Sequence, residues 1–289
     1  MKKLLTVFLL LCLLVGCLGC TQPVDNQPQG QFIVHFIDLG QSDSILLEYE
    51  GHFGLIDGGY ANTSDKLLDY LEDQDVEKLD LVVSTHMHGD HIGGLPAVLE
   101  AYEVGVLWHS RQTYYSDAYD KLLYYADQQD TLVEKPVVTQ LFLLGDVQLE
   151  LLGPLQKSYT DINNSSLVIM ASYGENRFLF TGDMRHEAEK ELVEAGTNLK
   201  ADVLKVGHHG SYTSTSYLFL RTVQPDYAVI QCGRNNEYGH PHSEPMSRLR
   251  DADVDIYRND KLGTVIAVCD GKNITFSWEF ADAKPEYNK

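Results

Sequence analysis

The segment LVVSTHMHGDH occupies residues 81–91, where an apolar run meets three histidines and an aspartate. Its first three residues, Leu81, Val82 and Val83, are apolar and, with Ser84, predict the end of a buried strand. His86 and His88 are two residues apart, so an extended backbone points both imidazoles in one direction. A turn at the next glycine would direct Asp90 and His91 to a second nearby position. Imidazole and carboxylate groups are typical Zn²⁺ ligands and also suit Mn²⁺ or Fe, so the segment predicts a metal site.

Two later segments have the same form, a predicted strand that ends in potential metal ligands. Residues 178–183 read FLFTGD and end at Asp183, and residues 204–211 read LKVGHHGS and contain His208 and His209. A single Asp or His at a strand end is usually a cap or a turn residue. Three strand ends that carry the same kinds of side chain instead indicate one metal site assembled from separate segments.

The chain alternates predicted strands and helices without a Pro-, Gly- or Ser-rich linker, which indicates one α/β domain over residues 32–280 and a tail at 281–289. The strands are expected to form two mixed sheets with helices outside. Apolar periodicity predicts helices at 63–73, 94–102, 116–129, 186–195, 214–223 and 243–251. Alternating or β-branched runs predict strands at 32–38, 43–49, 53–57, 79–84, 104–108, 137–144, 147–152, 165–173, 177–181, 202–206, 226–231, 254–258, 263–268 and 273–279.

Charge limits the classes of partner. The 289 residues include 22 Lys and Arg against 42 Asp and Glu, a net charge of −20. This balance argues against a protein that grips nucleic acid through a broad basic face. It leaves room for a nucleic-acid enzyme whose positive charge comes from bound metal ions.

The amino terminus is interpreted as a targeting segment. Residues 4–15 form an apolar run of 12 residues after two lysines, which is short for a membrane span and suits a secretory signal. The run leads to Cys17, in a context typical of a lipoprotein signal over residues 1–20, with Cys20 as the alternative lipidated residue. An ordinary signal peptide or an N-terminal membrane helix is the competing interpretation. Residues 21–31 are rich in Gln and Pro and predict a flexible tether.

Cysteine usage predicts no disulfide framework. Three of the five cysteines lie in the targeting segment, which leaves Cys232 and Cys269 in the domain. These two could pair in an oxidising compartment, and two buried free thiols are the favoured alternative.

The HxHxDH pattern, with a later Asp and His at strand ends, resembles the metallo-β-lactamase superfamily. That resemblance implies a four-layer αββα sandwich with metals at the edge between the sheets. Further segments resemble the hydrolase domain of the ComEC family of competence DNA-uptake proteins and its small secreted relatives, and the resemblance covers roughly residues 32–280. These segments are Phe36–Asp43, Leu55–Gly59, Asn163–Val168, Val206–Ser211, Tyr238–His242, Ile256–Asp260 and the pair Gly263 and Thr264.

The resemblance implies two divalent metal ions, Zn or Mn. It assigns His86 and His88 to the first metal. It assigns Asp90, His91 and His208 to the second metal. Asp183 would bridge the two metals. His209 is the alternative to His208, and Asp57 would support the ligand loop.

The sequence departs from the resembled families in the first metal site. Lactamase-type relatives place a third histidine there, whereas this chain has Asn163–Ser166 in the corresponding segment. The first site is therefore expected to be weaker or open. His88 stands where the ComEC group often has Asp, so softer metals are expected here. Ser42 stands where that group usually has Gly.

The expected chemistry is hydrolysis of an anion. Two divalent cations would outweigh the carboxylates of Asp90 and Asp183 and favour a phosphate. Two metals about 3.5–4 Å apart can share a hydroxide and clamp a phosphodiester. Asp90 and His240 are the predicted catalytic residues, with His240 donating a hydrogen bond or a proton. The other predicted substrate-contacting or supporting residues are Asn164, His209 and Ser211.

The favoured function is therefore a metal-dependent hydrolase, a phosphodiesterase or DNase, acting on single-stranded or short DNA. It would be a lipoprotein held at the extracytoplasmic face of the cell membrane, and no protein partner is implied. The alternatives are hydrolysis of a small ester, lactone or lactam, and a non-catalytic accessory lipoprotein of DNA uptake. A tyrosine-rich stretch at residues 114–125 could stack bases, although packing of a helix is the favoured interpretation.

Overall fold

The computed structural model describes residues 30–287 of the chain. The predicted lipoprotein signal with Cys17, and most of the predicted tether, lie outside these residues. Among the helices within 30–287, none combines the length and the apolar character needed to cross a membrane.

The first mixed sheet contains a hairpin between residues 45–49 and 52–56, and backbone conformation sets its turn. Residues Glu50 and Gly51 both have positive φ, at 48° and 79°, as a tight turn between right-twisted strands requires. In spatial order the sheet contains β15 (Ile274–Trp278), β14 (Val265–Cys269), β1 (Phe32–Phe36), β2 (Ile45–Tyr49), β3 (His52–Ile56), β4 (Lys78–Ser84), β5 (Glu103–His109) and β6 (Leu132–Glu134). Neighbouring strands are antiparallel from β15 to β3 and parallel from β3 to β6.

The second mixed sheet divides in the same way, into a parallel half and an antiparallel half. In spatial order it contains β13 (Asp255–Arg258), β12 (Tyr227–Ile230), β11 (Val203–Lys205), β10 (Asn176–Phe180), β9 (Val168–Tyr173), β8 (Val147–Gly153) and β7 (Leu141–Leu144). Neighbouring strands are parallel from β13 to β10 and antiparallel from β10 to β7.

Helices cover the outer face of each sheet. On α1 the apolar residues Leu67 and Leu71, four positions apart, are buried against the first sheet. Ser116 caps α4 by accepting a hydrogen bond from the backbone N–H of Tyr119. The helices are α1 (Ser64–Asp73), α2 (Gly89–Ile92), α3 (Leu95–Ala101), α4 (Asp117–Gln128), α5 (His186–Glu194), α6 (Tyr217–Val223), α7 (Ser243–Asp251) and α8 (Asn259–Leu262).

Three apolar cores separate four layers. The central core joins inward residues of both sheets, such as Phe32 and Phe178, whose rings meet edge to face at 5.4 Å. A second core lies between the first sheet and helices α1, α3 and α4, and a third between the second sheet and helices α5, α6 and α7. The predicted αββα arrangement of two mixed sheets is confirmed.

Some boundaries predicted from the sequence are wrong, and local hydrogen bonds explain why. The strand predicted at 137–144 begins only at Leu141, because the backbone N–H of Gln140 bonds the carbonyl of Val137 in a turn. The helix predicted at 214–223 begins at Tyr217, since Ser216 acts as its cap. Strand β6 and helices α2 and α8 were not predicted, because three or four residues show no clear period.

Two other predicted regions can now be located. Cys232 and Cys269 are buried free thiols, as favoured. The predicted tail packs back onto the domain, where Glu286 forms a β-bridge with Ile256 and an ion pair with Arg250.

The carboxyl ends of parallel strands converge at one edge of the sandwich. The segment Thr85–His91 follows β4, and His208 and His209 follow β11 in the other sheet. Asp183 lies three residues beyond β10 and not directly at its end as predicted. Since β10 and β11 are parallel neighbours, their carboxyl ends bring these segments together.

Candidate metal centre

We call the segment Thr85–His91 the ligand loop, and its first two histidines form a converging pair. His86 is fully buried, and its Nε2 lies 3.0 Å from Nδ1 of His88. The Nδ1 atom of His86 lies 3.2 Å from the hydroxyl of Thr85, whose proton is donated to Asp57. That hydroxyl can therefore only accept from His86, which places the proton on Nδ1 and leaves the Nε2 lone pair facing His88.

The last histidine of the loop is held by a buried carboxylate. His91 donates from Nδ1 to Asp57 across 2.8 Å, and Asp57 also accepts the backbone N–H of Thr85 at 2.8 Å. Asp57 follows β3 and has a φ of 58°, which turns its side chain beneath the loop. The bond to Asp57 leaves Nε2 of His91 directed at Asp183, 3.3 Å from its Oδ1 atom.

The two adjacent histidines after β11 both point into the site. His208 and His209 have positive φ values of 51° and 54°, a left-handed conformation that side chains seldom adopt. His209 donates from Nδ1 to the carbonyl of Gln231, and its Nε2 lies 3.2 Å from Asp90. His208 is held by the hydroxyl of Thr213, 3.0 Å from Nδ1. The strained turn thus presents two ring nitrogens where an ordinary extended segment would present one.

Asp183 stands between two groups of histidines. Its Oδ1 atom lies 3.3 Å from His91 and 3.6 Å from His209. Its Oδ2 atom lies 3.9 Å from His86 and 3.6 Å from His208. Each carboxylate oxygen therefore faces two imidazoles, an arrangement suited to a bridging ligand.

The ligand atoms lie close enough to surround cations. Three sets of potential ligand atoms each lie within 4.8 Å of one another: Asp90, His91, Asp183 and His209; His86, His88 and Asp183; and Asp43, Asp57 and His91. In the third set Asp57 holds the far nitrogen of His91. Within residues 30–287, Nε2 of His91 and Oδ1 of Asp183 are buried without a hydrogen-bond partner although they face each other. Buried polar atoms without a partner are costly, and a divalent cation between them would satisfy both.

The charges around the site favour a positive species at its centre. Burial opposes protonation of His91, but Asp183 and Asp57 outweigh it and hold its pKa well above the usual range. The same competition, won by Asp183 and Asp43, raises the pKa of His209 to about 10. Carboxylates that stabilise a proton here stabilise a metal cation for the same reason.

Asp43 and Lys205 form a supporting pair that sequence reasoning missed. Both side chains are buried, with Nζ of Lys205 2.7 Å from Oδ2 of Asp43. The other oxygen of Asp43 lies 3.2 Å from Nδ1 of His209. Asp43 belongs to a segment that supported the family resemblance, but nothing in the sequence pairs it with a lysine 162 positions away.

The segment that stands where lactamase-type relatives have their third histidine contributes a serine. Ser166 contacts Nδ1 of His86 at 3.3 Å and accepts the backbone N–H of Asp183. Asn164, which was predicted to contact substrate or ligands, uses its amide to hold Arg185 and Glu187. It therefore fixes the loop after Asp183 and does not face the ligand groups.

Ser211 also acts one step away from the ligands. Its hydroxyl lies 2.9 Å from that of Thr213, which in turn holds His208. The predicted supporting role is thus exercised through Thr213.

His240 borders the site with a defined tautomer. The side-chain oxygen of Gln41 accepts the backbone N–H of Gly233, so its amide nitrogen is the atom 3.1 Å from Nδ1 of His240. Gln41 therefore donates to Nδ1, and the proton of His240 resides on Nε2. Burial and the nearby His209 lower the pKa of His240 to about 4, so the ring is neutral at neutral pH.

An open cleft of about 290 Å³ exposes these groups to a substrate. Its lining combines metal-ligand candidates with uncharged side chains: Gln41, Tyr60, His88, Gly89, Asp90, Asp183, His208, His209, Tyr238 and His240. The tyrosine-rich stretch at residues 114–125 lies outside this lining. Within that stretch, Tyr119 and Tyr125 pack against the outer core, as favoured.

One family model and several known proteins match this chain. The family model described as the metallo-beta-lactamase superfamily matches residues 37–234. ComE operon protein 3 of Bacillus subtilis is 32% identical over 250 residues, an alignment that covers 80% of this chain and 32% of that protein. Recombination protein 2 of Haemophilus influenzae is 32% identical over 222 residues, covering 75% and 26%. The chain spans about a third or less of the length of these curated relatives.

Solved structures share the fold at low sequence identity. YhfI from Bacillus subtilis, a metallo-beta-lactamase fold protein, has a TM-score of 0.53 at 12% identity, covering 79% of this chain and 96% of that one. Tm1679, a metal-dependent hydrolase of the beta-lactamase superfamily, has a TM-score of 0.53 at 13% identity, covering 86% and 100%. At these identities the likeness concerns the fold alone.

Proposed function

The chain belongs to the metallo-beta-lactamase superfamily, and from this membership we propose that it is a metal-dependent phosphodiesterase that cuts short or single-stranded DNA. The observation that carries the proposal is the bridging position of Asp183 between two groups of imidazoles. A pair of ligand groups around one shared carboxylate fits two-metal hydrolysis of a phosphodiester.

The proposal assigns ligands to two ions. We assign the second ion to Asp90, His91 and His209, which the distances favour over the His208 of the sequence prediction. His208 instead faces the oxygen of Asp183 that His86 also faces, so we assign it to the first ion with His86 and His88. This assignment would give the first ion a third histidine, although the sequence has Asn163–Ser166 where lactamase-type relatives have theirs.

The chemistry expected of the bound ions is general to two-metal sites. Divalent cations bound by these residues would polarise the phosphoryl oxygens and lower the pKa of a bound water. The chain supplies orientation, because Asp57, the Gln231 carbonyl and Thr213 each hold the far nitrogen of one ligand histidine. Such bonds fix the tautomer and the ring direction before any ion binds.

His240 would contribute a hydrogen bond to the substrate. Its Nε2–H is fixed by Gln41, and a pKa of about 4 keeps the ring neutral near neutral pH. A neutral imidazole with its proton on Nε2 suits hydrogen bonding to a phosphate oxygen better than proton transfer to a leaving group. Of the two roles predicted for His240, we therefore propose the first.

DNA is proposed as the substrate because of the relatives and the charge. Among the matched proteins, one is named as a competence protein and another as a recombination protein. A net charge of −20 disfavours a long duplex, which needs many phosphate contacts with basic residues. A short or single strand requires fewer such contacts.

The N-terminal sequence supports a location outside the cytoplasm. The apolar run of residues 4–15 and the small residues before Cys17 suit a lipoprotein signal. We extend the proposal to a lipid anchor at Cys17 on the extracytoplasmic face of the membrane. Labelling of cells with a radioactive fatty acid should mark the protein and spare a Cys17→Ala variant, whereas label that depends on Cys20 would contradict the assignment.

A cleavage assay tests the proposed activity. Protein loaded with Mn²⁺ or Zn²⁺ is expected to cut a single-stranded oligonucleotide faster than the matching duplex, and to cut bis(p-nitrophenyl) phosphate slowly. Chelation should abolish cleavage, and fresh metal should restore it. Asp90→Ala should be inactive, whereas His52→Ala, a change at an exposed histidine on β3, should behave like the wild type.

The same preparation can refute the proposal. If the metal-loaded protein leaves all three phosphodiesters intact but opens a chromogenic lactam or lactone, the phosphodiesterase assignment is wrong. Failure on both substrate panels with metal bound would favour an accessory role.

Metal content tests the division of the adjacent histidines. His208→Ala and His209→Ala are each expected to lose about one ion, measured by plasma mass spectrometry after dialysis, because each removes a ligand of a different ion. Combining His208→Ala with His86→Ala should lose little more than either change alone. Combining His209→Ala with His86→Ala should lose both ions.

The exposed His52→Ala again serves as the control and should retain the wild-type metal content. If His208→Ala binds as much metal as the control, with unchanged affinity in a chelator competition, His208 is not a ligand. If the two double variants have equal metal content, the two histidines do not serve different ions.

A further inference from the structure

A second cavity adjoins the metal cleft. It has a volume of about 590 Å³, within the range of about 300–1,000 Å³ usual for small-molecule sites. Its lining is Gln41, Tyr60, Ala61, Asn62, Asn236, Glu237 and Tyr238. Gln41, Tyr60 and Tyr238 also line the metal cleft, so the two spaces are continuous. We call this space the tyrosine cavity.

Stacked rings connect the metal ligands to the tyrosine cavity. The rings of His209 and His240 lie 6.1 Å apart at an interplanar angle of 25°. Those of His240 and Tyr238 lie 5.6 Å apart at 20°. Tyr238 ends this row and is 52% exposed, so part of its ring remains open to a further planar group. A ring stacked there would continue the row away from the ions.

Tyr60 forms another side of the tyrosine cavity, and its ring lies beside the ligand loop. A Cβ at Gly89 would lie 3.8 Å from Cε1 of Tyr60, which places that ring beside the loop that carries Asp90. Tyr60 and Tyr238 each line both the metal cleft and the tyrosine cavity. Two aromatic side chains thus meet at the opening between the cleft and the cavity.

The chemistry of the lining disfavours an anionic occupant. No Lys or Arg belongs to the lining within the described part of the chain, and Glu237 does. An anionic phosphate is therefore disfavoured in the tyrosine cavity, whereas the metal cleft suits one. Ring faces together with the amides of Gln41, Asn62 and Asn236 match a planar group that has hydrogen-bonding edges.

We propose that the tyrosine cavity binds the nucleobase next to the scissile phosphate, with Tyr238 as the stacking surface. This inference rests on the proposed function, since it requires a nucleic-acid strand whose phosphate occupies the metal cleft. Stacking on a ring tolerates any base, so the subsite would add affinity without strict sequence preference.

Binding of matched oligonucleotides tests the inference independently of cleavage. A thymidine tetranucleotide and an abasic tetramer with the same number of phosphates are compared by competition anisotropy. Ca²⁺ replaces Mn²⁺ or Zn²⁺, and intact strands are verified afterwards. The wild type is expected to prefer the base-bearing strand by about 5- to 150-fold per stacked base.

The variants distinguish stacking on Tyr238 from a general effect. Tyr238→Ala should reduce the preference to within about twofold, and Tyr238→Phe should keep it, because the ring remains. Tyr115→Ala, at a tyrosine that is 91% exposed and outside both linings, is the matched control and should keep the full preference.

Each outcome decides between the claims. The inference is overturned if the wild type does not bind the base-bearing strand more tightly than the abasic one, or if Tyr238→Ala keeps the preference. A base preference without any cleavage in the activity assay would leave the subsite standing and remove the phosphodiesterase proposal. Cleavage without a base preference would do the reverse.

Discussion

Replacing Asp183 by asparagine is expected to reduce phosphodiester cleavage by about 1,000-fold or more and to lower the metal content at both ligand groups. The reason is its position, with one carboxylate oxygen facing His91 and His209 and the other facing His86 and His208. An amide cannot offer two anionic oxygens. Loss of several kcal/mol of charge stabilisation corresponds to a rate effect of this size.

The measurements for Asp183→Asn are single-turnover cleavage of an oligonucleotide and metal content on the same sample. Asp255→Asn is the matched control, since Asp255 is also buried but begins β13, at the opposite end of the parallel strands from the metal centre. The control should keep both its metal and its activity. If Asp183→Asn retains two ions and a rate within tenfold of wild type, the bridging role is refuted.

The second prediction concerns the buried ion pair of Asp43 and Lys205. In Lys205→Met the folded state would retain Asp43 without the ammonium group 2.7 Å away. Breaking a buried pair in this way costs about 3–5 kcal/mol, because Asp43 remains buried without its nearest counter-charge and keeps only the contact with His209. We expect a loss of this size in the free energy of unfolding measured with urea near neutral pH.

The pH dependence of that loss has a defined sign. Burial opposes the ionised form of Asp43, but Lys205 and His209 outweigh it and lower its pKa. In the wild type this pair adds stability above the unfolded pKa of aspartate, which is lost as pH falls through the folded pKa. Without Lys205 the pKa of Asp43 should rise, so the deficit of the variant should shrink on acidification.

Two further variants identify the cause of the loss. The double variant with Lys205→Met and Asp43→Asn should recover part of the stability, because it removes the unpaired charge. Lys190→Met breaks an exposed pair with Glu194 and should cost about 0.5 kcal/mol or less. A Lys205→Met protein as stable as Lys190→Met would show that the buried pair does not hold the site together.

The fold and part of the site could be predicted because their signals are local. The candidate ligands of residues 86–91 lie within one short segment, and the spacing of His86 and His88 alone aligns their side chains in an extended backbone. Apolar periodicity located the long helices and strands for the same reason. The short elements β6 and α8 were missed, since too few residues repeat to define a period.

The division of labour between His208 and His209 could not be predicted from spacing. Adjacent residues in an extended segment point to opposite sides, so the sequence allowed only one of them to face the site. The left-handed turn at both residues overrides that rule. The carbonyl of Gln231 and the hydroxyl of Thr213 then hold the two rings in their separate directions.

The amino-acid sequence alone therefore determined the kind of candidate ligands, the strand ends that carry them and the α/β class with two mixed sheets. These depend on residue type and on periods a few residues long. The tertiary structure alone decided that Asp183 lies between the ligand groups, that Lys205 neutralises Asp43, and that Gln41 sets the tautomer of His240. Such pairings join residues far apart in the chain, and only the packing of two sheets brings their atoms within contact distance.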